Sequence, residues 1–246
     1  MNPFILLFLS LFTQNLWAFK INLVESTLHL DKNMFSTTAT IVNDSNNMIA
    51  IEAGARIRSY SLDGIENIDK EAEHLIIIPS QMIIPPNGEQ VLNIRWIGPR
   101  DISTERAYRL LIEYVPVSQD KLQGKAPKEQ QAGININYRI AKSFYVSPKG
   151  IQSNVKLKEA KKTTVNDKDM LLLSFENLGS EHQIIHSLQL QFTTQSNTTI
   201  NASFSSEELN GSINFLAQES REILVPCPSN LQKEQIVAAK IIAFEK

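Results

Sequence analysis

The chain has little cysteine, little glycine and no excess of one charge. Its single cysteine, Cys227, excludes an intramolecular disulfide, so the fold does not rely on disulfide bonds. The 246 residues, 42% of them hydrophobic, are enough for one large domain or for two domains with separate cores. The 24 basic and 26 acidic residues nearly cancel without forming blocks of like charge, which argues against a nucleic-acid binder.

Motifs that carry catalysis are also missing from the sequence. It contains no G-x-S-x-G turn and no glycine-rich phosphate loop, and only nine glycines occur. His182 and His186 share a strand face, but no carboxylate or thiol stands at matching spacing, so they do not predict a metal site. Cys227 lies between two prolines in "VPCPSN", which favours a partly buried, inert thiol. We therefore expect no enzymatic activity, no cofactor and no metal.

The only long apolar run is at the amino terminus. The run from Pro3 to Phe12 is too short to span a bilayer but suits the hydrophobic region of a secretory signal, with Ala18 at a plausible cleavage point. No Lys or Arg precedes the run, and the bulky Leu16 lies near the cleavage point, which leaves an uncleaved membrane anchor as the alternative. We expect residues 1–18 to be a signal peptide that directs export.

The mature chain consists almost wholly of predicted strands. Seven apolar or alternating runs precede residue 148, separated by turn clusters such as "NDSNN" and "PPNG". Seven short strands bounded by turn residues are typical of an immunoglobulin-like β-sandwich. The pattern restarts with shorter runs after Pro148 and Gly150. We therefore predict an all-β chain of two sandwich domains, residues 19–148 and a smaller domain of residues 149–246.

A specific order of motifs occurs in the second half of the first predicted domain. "PSQMIIPPNGEQVLNIRWIG" is followed by "ERAYRLLIEYVP", and "FYVSP" ends the last strand. The residues concerned are Pro79, Pro85, Pro86, Gly88, Arg95 and the run from Glu105 to Pro116. This order resembles the periplasmic pilus chaperones of bacterial chaperone–usher systems, and "AYR" with "IEYVP" is closer to their archaic branch. The resemblance covers residues 19–150 by motif and the second domain by architecture only.

The resemblance implies a fold and a function. The fold is two immunoglobulin-like domains in an L shape. The function is a periplasmic chaperone, working without a cofactor, that caps pilus or fimbrial subunits and delivers them to an outer-membrane usher. The rival interpretation is a tandem immunoglobulin-like structural or adhesive surface protein.

The segment "GININYRIAKSFYVSP" alternates with unusual regularity after a long polar stretch. The residues on one face of this predicted strand are Ile134, Ile136, Tyr138 and Ile140. The resemblance implies that this strand is lent to a subunit lacking one strand of its own sandwich, which is a form of strand addition called donor-strand complementation. The alternative is that these side chains pack into the domain's own core. If they are exposed in the free chain, they favour self-association.

The resemblance also implies a basic site for the subunit's terminal carboxylate at the base of the cleft between the domains. Lys142 falls on the family's lysine position, but the first strand has Thr27 and no arginine near the second position. Arg109 is our candidate substitute, because a guanidinium group suits a carboxylate, and Arg139 is a further candidate. For each of these basic residues the alternative is a solvated surface side chain.

Overall fold

The computed structural model describes residues 19–117 and 138–245. In this part of the chain the regular structure is nineteen β-strands and one 3-10 turn, Leu30–Lys32, with no α-helix. No helix among the described residues is long and apolar enough to cross a membrane. The predicted all-β class is confirmed.

Eleven strands form the amino-terminal group. Their bounds are β1 (Lys20–Leu23), β2 (Thr27–His29), β3 (Ser36–Val42), β4 (Ile49–Ile57), β5 (Ser59–Tyr60), β6 (Glu66–Asn67), β7 (Leu75–Ile78), β8 (Gln81–Ile84), β9 (Glu89–Trp96), β10 (Arg106–Val115) and β11 (Arg139–Ser147). A four-stranded sheet has the order β1–β3–β9–β7, and a five-stranded sheet has the order β2–β11–β10–β4–β8. Strands β5 and β6 pair with each other and with no other strand in the part of the chain that the structure describes.

Alternation in sequence places the core of this group between its two sheets. In β9, Leu92, Ile94 and Trp96 are buried while the residues between them are exposed. The facing strand β10 buries Leu110 and Ile112 in the same core. The core therefore consists of residues from both sheets, as expected for a sandwich.

Several of the predicted runs form two strands in different sheets instead of one. "INLVESTLHL" gives β1 in the four-stranded sheet and β2 in the five-stranded sheet, and "EHLIIIPSQMIIP" gives β7 and β8 in the same way. In the second stretch, Pro79 follows β7 and has no N–H to donate to a ladder, so pairing stops there.

Eight strands form the carboxy-terminal group. Their bounds are β12 (Val155–Val165), β13 (Lys168–Asn177), β14 (Gln183–Ile185), β15 (Ser187–Thr194), β16 (Thr199–Phe204), β17 (Ile213–Phe215), β18 (Ser220–Pro226) and β19 (Ile236–Glu245). They form sheets in the orders β12–β13–β18, β16–β15–β19 and β14–β17, around a separate core that contains Phe175 and Phe192. Within the described residues no strand of one group pairs with a strand of the other. The domain boundary predicted after residue 148 stays a prediction and falls between β11 and β12.

Candidate functional site

Among the residues that the structure describes, strand β11 has an open edge over its first half. One side of β11 pairs antiparallel with β10, while the other side meets no described strand except β2, at its last three residues. The carbonyl of Tyr138 accepts the N–H of Tyr114 in β10 at 2.9 Å. The N–H of Tyr145 points the opposite way and donates to the carbonyl of Ser26 at 2.9 Å.

The alternation of these bonds identifies the backbone groups at the open edge. Because antiparallel pairs alternate between bonded and non-bonded positions, odd-numbered residues of β11 direct their N–H and C=O groups away from β10. These residues are Arg139, Ala141 and Ser143. No strand in the described part of the chain pairs with them.

The structure describes half of the predicted donor face. Ile134 and Ile136 lie outside the described residues. Tyr138 and Ile140 are half-buried and pack against the core of the first domain, on the same face of β11 as the buried Phe144. These two side chains therefore contact the domain's own core, and the donor role of all four stays a prediction.

The three predicted anchor residues do not lie together. In the pairing of β10 with β11, Leu110 is opposite Lys142 and Arg109 is opposite Ser143. Since directly opposite residues share a face, Lys142 lies on the core-facing side of the sheet and Arg109 on its outer side. Lys142 is exposed. Arg139 forms a half-exposed ion pair with Glu113 at 2.5 Å.

Arg109 belongs to a cluster on the outer face that contains a second arginine. The Nε and Nη2 atoms of Arg109 donate to the two carboxylate oxygens of Glu66 at 2.8 and 3.2 Å. Its Nη1 donates to the hydroxyl of Ser143 at 2.8 Å. Arg58 donates from Nε to the same Glu66 carboxylate. Its Nη1 donates to the hydroxyl of Ser143 at 3.2 Å. One carboxylate thus bridges two guanidinium groups.

Charge in this cluster is only partly balanced. Burial opposes the ionisation of Glu66, but hydrogen bonds and charge from Arg109 and Arg58 outweigh burial and hold the pKa of the Glu66 carboxyl below its ordinary value. Burial likewise opposes the charge of Arg58, yet neighbouring Tyr60, Tyr145 and Glu66 together raise the pKa of Arg58. Two cations and one anion leave one net positive charge. The side chain of Arg58 is 4% exposed and that of Arg109 is 18% exposed, so Arg109 is the arginine that an anion reaches.

Tyr145 connects this cluster to the second domain. Its hydroxyl accepts from Nη1 of Arg58 at 3.1 Å and from the side-chain amide of Asn214 at 2.7 Å. Its ring stacks on His182 with a centroid distance of 3.9 Å and an interplanar angle of 1°. One aromatic residue of β11 therefore contacts both the arginine cluster and the second domain.

A buried carboxylate forms the joint between the domains. The side chain of Glu105 is 3% exposed. Its oxygens accept from the hydroxyl of Ser147 at 2.7 Å and from the backbone N–H of His182 at 3.1 Å, and Nδ1 of His182 also contacts the carboxylate. The N–H of Glu105 donates to the carbonyl of Ser180 at 3.0 Å. The second domain is thus fixed to the first through both the side chain and the backbone of Glu105.

The hairpin of β5 and β6, residues 59–67, is a second link between the domains. The N–H of Glu222 in β18 donates to the carbonyl of Leu62 at 2.6 Å, and Arg221 donates to the carbonyl of Gly64 at 3.3 Å. The guanidinium of Arg221 also lies 4.4 Å from the centre of the Tyr60 ring. The same hairpin carries Glu66, so it joins the arginine cluster to β18.

A family model decides the identity of the chain. Residues 20–152 match the model described as "Pili and flagellar-assembly chaperone, PapD N-terminal domain", which is more than half of the chain. The chain belongs to this family of assembly chaperones. The predicted resemblance to pilus chaperones is confirmed, and the family is one of chaperones and not of enzymes. Membership in the archaic branch stays a prediction.

Solved structures share the fold over most of both chains. One is the CsuC–CsuE chaperone–tip adhesion subunit pre-assembly complex from archaic chaperone–usher Csu pili of Acinetobacter baumannii, with a TM-score of 0.54, 12% identity, and coverage of 89% of this chain and 96% of the other. Another is the SafA pilin in complex with the SafB chaperone of Salmonella enterica, with a TM-score of 0.52, 12% identity, and coverage of 87% and 86%. A third is the class 5 fimbriae chaperone CfaA, with a TM-score of 0.50, 13% identity, and coverage of 91% and 99%.

These structural likenesses confirm the predicted fold of two immunoglobulin-like domains. No curated protein sequence gives a significant match.

Sequence reasoning about this chaperone missed Arg58 and Glu66. A signal for Arg58 was present, because Arg56, Ile57 and Arg58 alternate in "GARIRSY" and place both arginines on one strand face. Glu66 lies on a short hairpin and shows no pattern that links it to Arg109, 43 residues away. Its role depends on tertiary contacts alone.

The histidines and the cysteine for which the sequence predicts no catalytic or metal-binding role have structural contacts in the chaperone. His182 contacts Glu105, while Nδ1 of His186 lies 2.7 Å from the hydroxyl of Ser212, so the two histidines have separate partners. Cys227 is buried, and burial raises the pKa of its thiol. No group of three metal-ligating side chains occurs among the residues that the structure describes.

Proposed function

We propose that this chaperone works in the periplasm, binds pilus or fimbrial subunits by donor-strand complementation and delivers them to an outer-membrane usher. The observation that carries the proposal is the open edge of β11, where the backbone groups of Arg139, Ala141 and Ser143 have no described strand partner. An incomplete subunit sandwich has a complementary row of unpaired backbone groups. Pairing satisfies both rows without ATP, and exchange for a better-fitting subunit strand then releases the chaperone.

The alternating side chains add apolar contacts to this backbone pairing. Each isoleucine transferred from water into a subunit groove contributes about 1.5–3 kcal/mol. Tyr138 and Ile140 already pack against the first domain's core, so their gain from a subunit groove is smaller. Without a subunit, the same open edge favours self-association of the free chaperone.

Arg109 is the proposed anchor for the terminal carboxylate of the subunit. It is the more exposed member of the arginine cluster, and its Nη1 donates to Ser143, whose backbone groups face the open edge. A subunit strand that pairs with this edge lies on the opposite side of β11 from β10, and Arg109 reaches toward it through its contact with Ser143. Lys142 and Arg139 are proposed as additional contacts at the rim, because both are exposed on the same strand.

Export completes the proposal. Residues 1–18 are the proposed signal peptide that brings the chain to the compartment where subunits emerge. The subunit partner and the usher follow from the proposed role.

The first experiment is a pull-down of the tagged mature chaperone from its native periplasm, followed by mass spectrometry. We expect recovery of a small β-rich subunit in equal amount. Ile136→Asp lowers this recovery about tenfold or more, because a charge replaces an apolar group in the subunit groove, while the fold of the first domain is retained. If the chain is recovered alone, or only in complex with further copies of itself, the result supports the alternative of a tandem immunoglobulin-like structural or adhesive protein. Unfolding of the first domain by Ile136→Asp assigns this strand to the core.

The anchor assignment is tested by three alanine variants of the purified chaperone. We expect Arg109→Ala to weaken binding of the recovered subunit about tenfold, because charge-assisted hydrogen bonds to a carboxylate are lost. Lys142→Ala and Arg139→Ala have smaller effects, since both side chains are solvated. Isothermal titration calorimetry measures the three affinities. A larger loss for Lys142→Ala than for Arg109→Ala moves the anchor to the other face of the sheet.

A further inference from the structure

The arginine cluster already holds a carboxylate. The Nε and Nη2 atoms of Arg109 form one edge of the guanidinium group that binds a carboxylate in a bidentate manner, and Glu66 occupies this edge at 2.8 and 3.2 Å. Glu66 does not belong to the same sheet as Arg109, because it is in the hairpin of residues 59–67. The chain thus supplies its own ligand to the proposed anchor.

The remaining guanidinium nitrogens of both arginines also have hydrogen-bond acceptors. Nη1 of Arg109 donates to Ser143. Arg58 donates from Nη1 to Ser143 and Tyr145, and from Nη2 to the hydroxyl of Tyr60. Every guanidinium nitrogen in the cluster therefore has an acceptor. An incoming carboxylate gains the bidentate edge of Arg109 only when Glu66 leaves it.

Glu66 has a route away from the arginines. Its side chain is 29% exposed, whereas that of Arg58 is 4% exposed. Rotation of Glu66 into solvent therefore leaves the hairpin backbone and its contacts with the second domain in place. Arg58 then keeps Ser143, Tyr145 and Tyr60 as acceptors, so the cluster stays ordered when the carboxylate is exchanged.

We propose that Glu66 competes with the terminal carboxylate of a subunit for Arg109 and thereby weakens the binding of that carboxylate. This inference rests on the proposed function, because it assumes that Arg109 is the anchor. A chain end with a free carboxylate replaces Glu66 and leaves the net charge of the cluster unchanged. A chain end without that charge meets an occupied site and gains nothing from the arginines. Glu66 thereby lowers the affinity for every carboxylate and leaves strand pairing to select the partner.

The test compares two short synthetic peptides of alternating Val and Thr, labelled with fluorescein at the amino end. One ends in a free carboxylate and the other in an amide. Fluorescence polarisation measures their binding to the mature chaperone and to Glu66→Gln, which keeps the size of the side chain but removes its charge. We expect Glu66→Gln to bind the carboxylate peptide about tenfold more tightly and the amide peptide unchanged.

Glu71→Gln is the matched control. Glu71 pairs with Arg56 at 2.7 Å on the same face of the sheet, so this variant makes the same change of charge without touching Arg58 or Arg109. We expect Glu71→Gln to have the same ratio of affinities for the carboxylate and amide peptides as the wild type. An equal gain for Glu71→Gln overturns the proposal, because the effect is then one of overall charge.

The remaining outcomes separate this proposal from the function on which it rests. If Glu66→Gln weakens carboxylate binding, or changes both peptides equally, Glu66 only positions the arginines and the proposal is wrong. If neither peptide binds to either chain, the proposed strand addition fails and the competition fails with it.

A measurement on the wild type avoids any effect of the substitution on folding. The carbon-13 carboxyl resonance of Glu66 must move to that of a solvated glutamate when the carboxylate peptide saturates the chaperone, and an unchanged resonance overturns the proposal.

Discussion

Replacing Ala141 by proline is expected to lower subunit capture about a hundredfold while the free chaperone stays folded. The N–H of Ala141 faces the open edge of β11, so its removal breaks no described hydrogen bond, and proline is tolerated where the N–H of an edge strand faces solvent. In the complex, the same change leaves a subunit carbonyl unpaired and places a ring against the incoming strand. Binding of the recovered subunit and the thermal unfolding curve measure the two effects separately.

Two neighbouring changes control for the position and the size of the substitution. Lys142→Pro removes an N–H that faces β10, so we expect it to destabilise the first domain itself. Ala141→Val keeps the N–H and is expected to retain capture. Wild-type capture by Ala141→Pro would falsify the assignment of the open edge as the subunit site.

Glu105→Ala is expected to reduce the free energy of unfolding by about 3 kcal/mol and to uncouple the two domains. The change leaves the hydroxyl of Ser147 and the N–H of His182 without their buried acceptor, and each unsatisfied donor costs about 1–3 kcal/mol. Urea unfolding checks the prediction. Trp96 is the only tryptophan after residue 18, so its fluorescence reports on the first domain, while circular dichroism reports on both domains. The two transitions coincide in the wild type and separate in the variant.

Glu113→Ala is the control for Glu105→Ala, because it removes a carboxylate from an ion pair that is half exposed. Glu113 pairs with Arg139 on the surface, and such pairs are worth less than about 1 kcal/mol. An equal shift of the unfolding midpoint for both variants means that the buried Glu105 carboxylate contributes no more to the free energy of unfolding than a surface ion pair does.

Strand positions were predictable because alternation is a local property of the sequence. β9 and β10 each appear as one alternating run, and each forms one strand. The sheet that each strand joins was not predictable, because pairing partners are distant in sequence. "INLVESTLHL" satisfies the alternation rule throughout, yet β1 pairs with β3 and β2 pairs with β11.

The candidate site shows the same limit. Arg109 was chosen for its chemistry, and the structure places it in a charged cluster next to the open edge. Lys142 was chosen for its place in the motif, but the register of β10 with β11 puts it on the other face from Arg109. Register depends on contacts between distant segments, so the sequence predicts which residues are able to bind an anion but not which of them lie together.

The hairpin of residues 59–67 contacts both the arginine cluster and the second domain. Glu66 belongs to the arginine cluster, while Leu62 and Gly64 bond to β18 of the second domain. Displacement of the Glu66 side chain alone leaves the docking of the second domain unchanged, whereas a ligand that moves the hairpin backbone changes it. Linkage is reciprocal, so a protein that binds the second domain and moves the same backbone alters the affinity of the arginines for a carboxylate by the factor by which a carboxylate alters its own affinity.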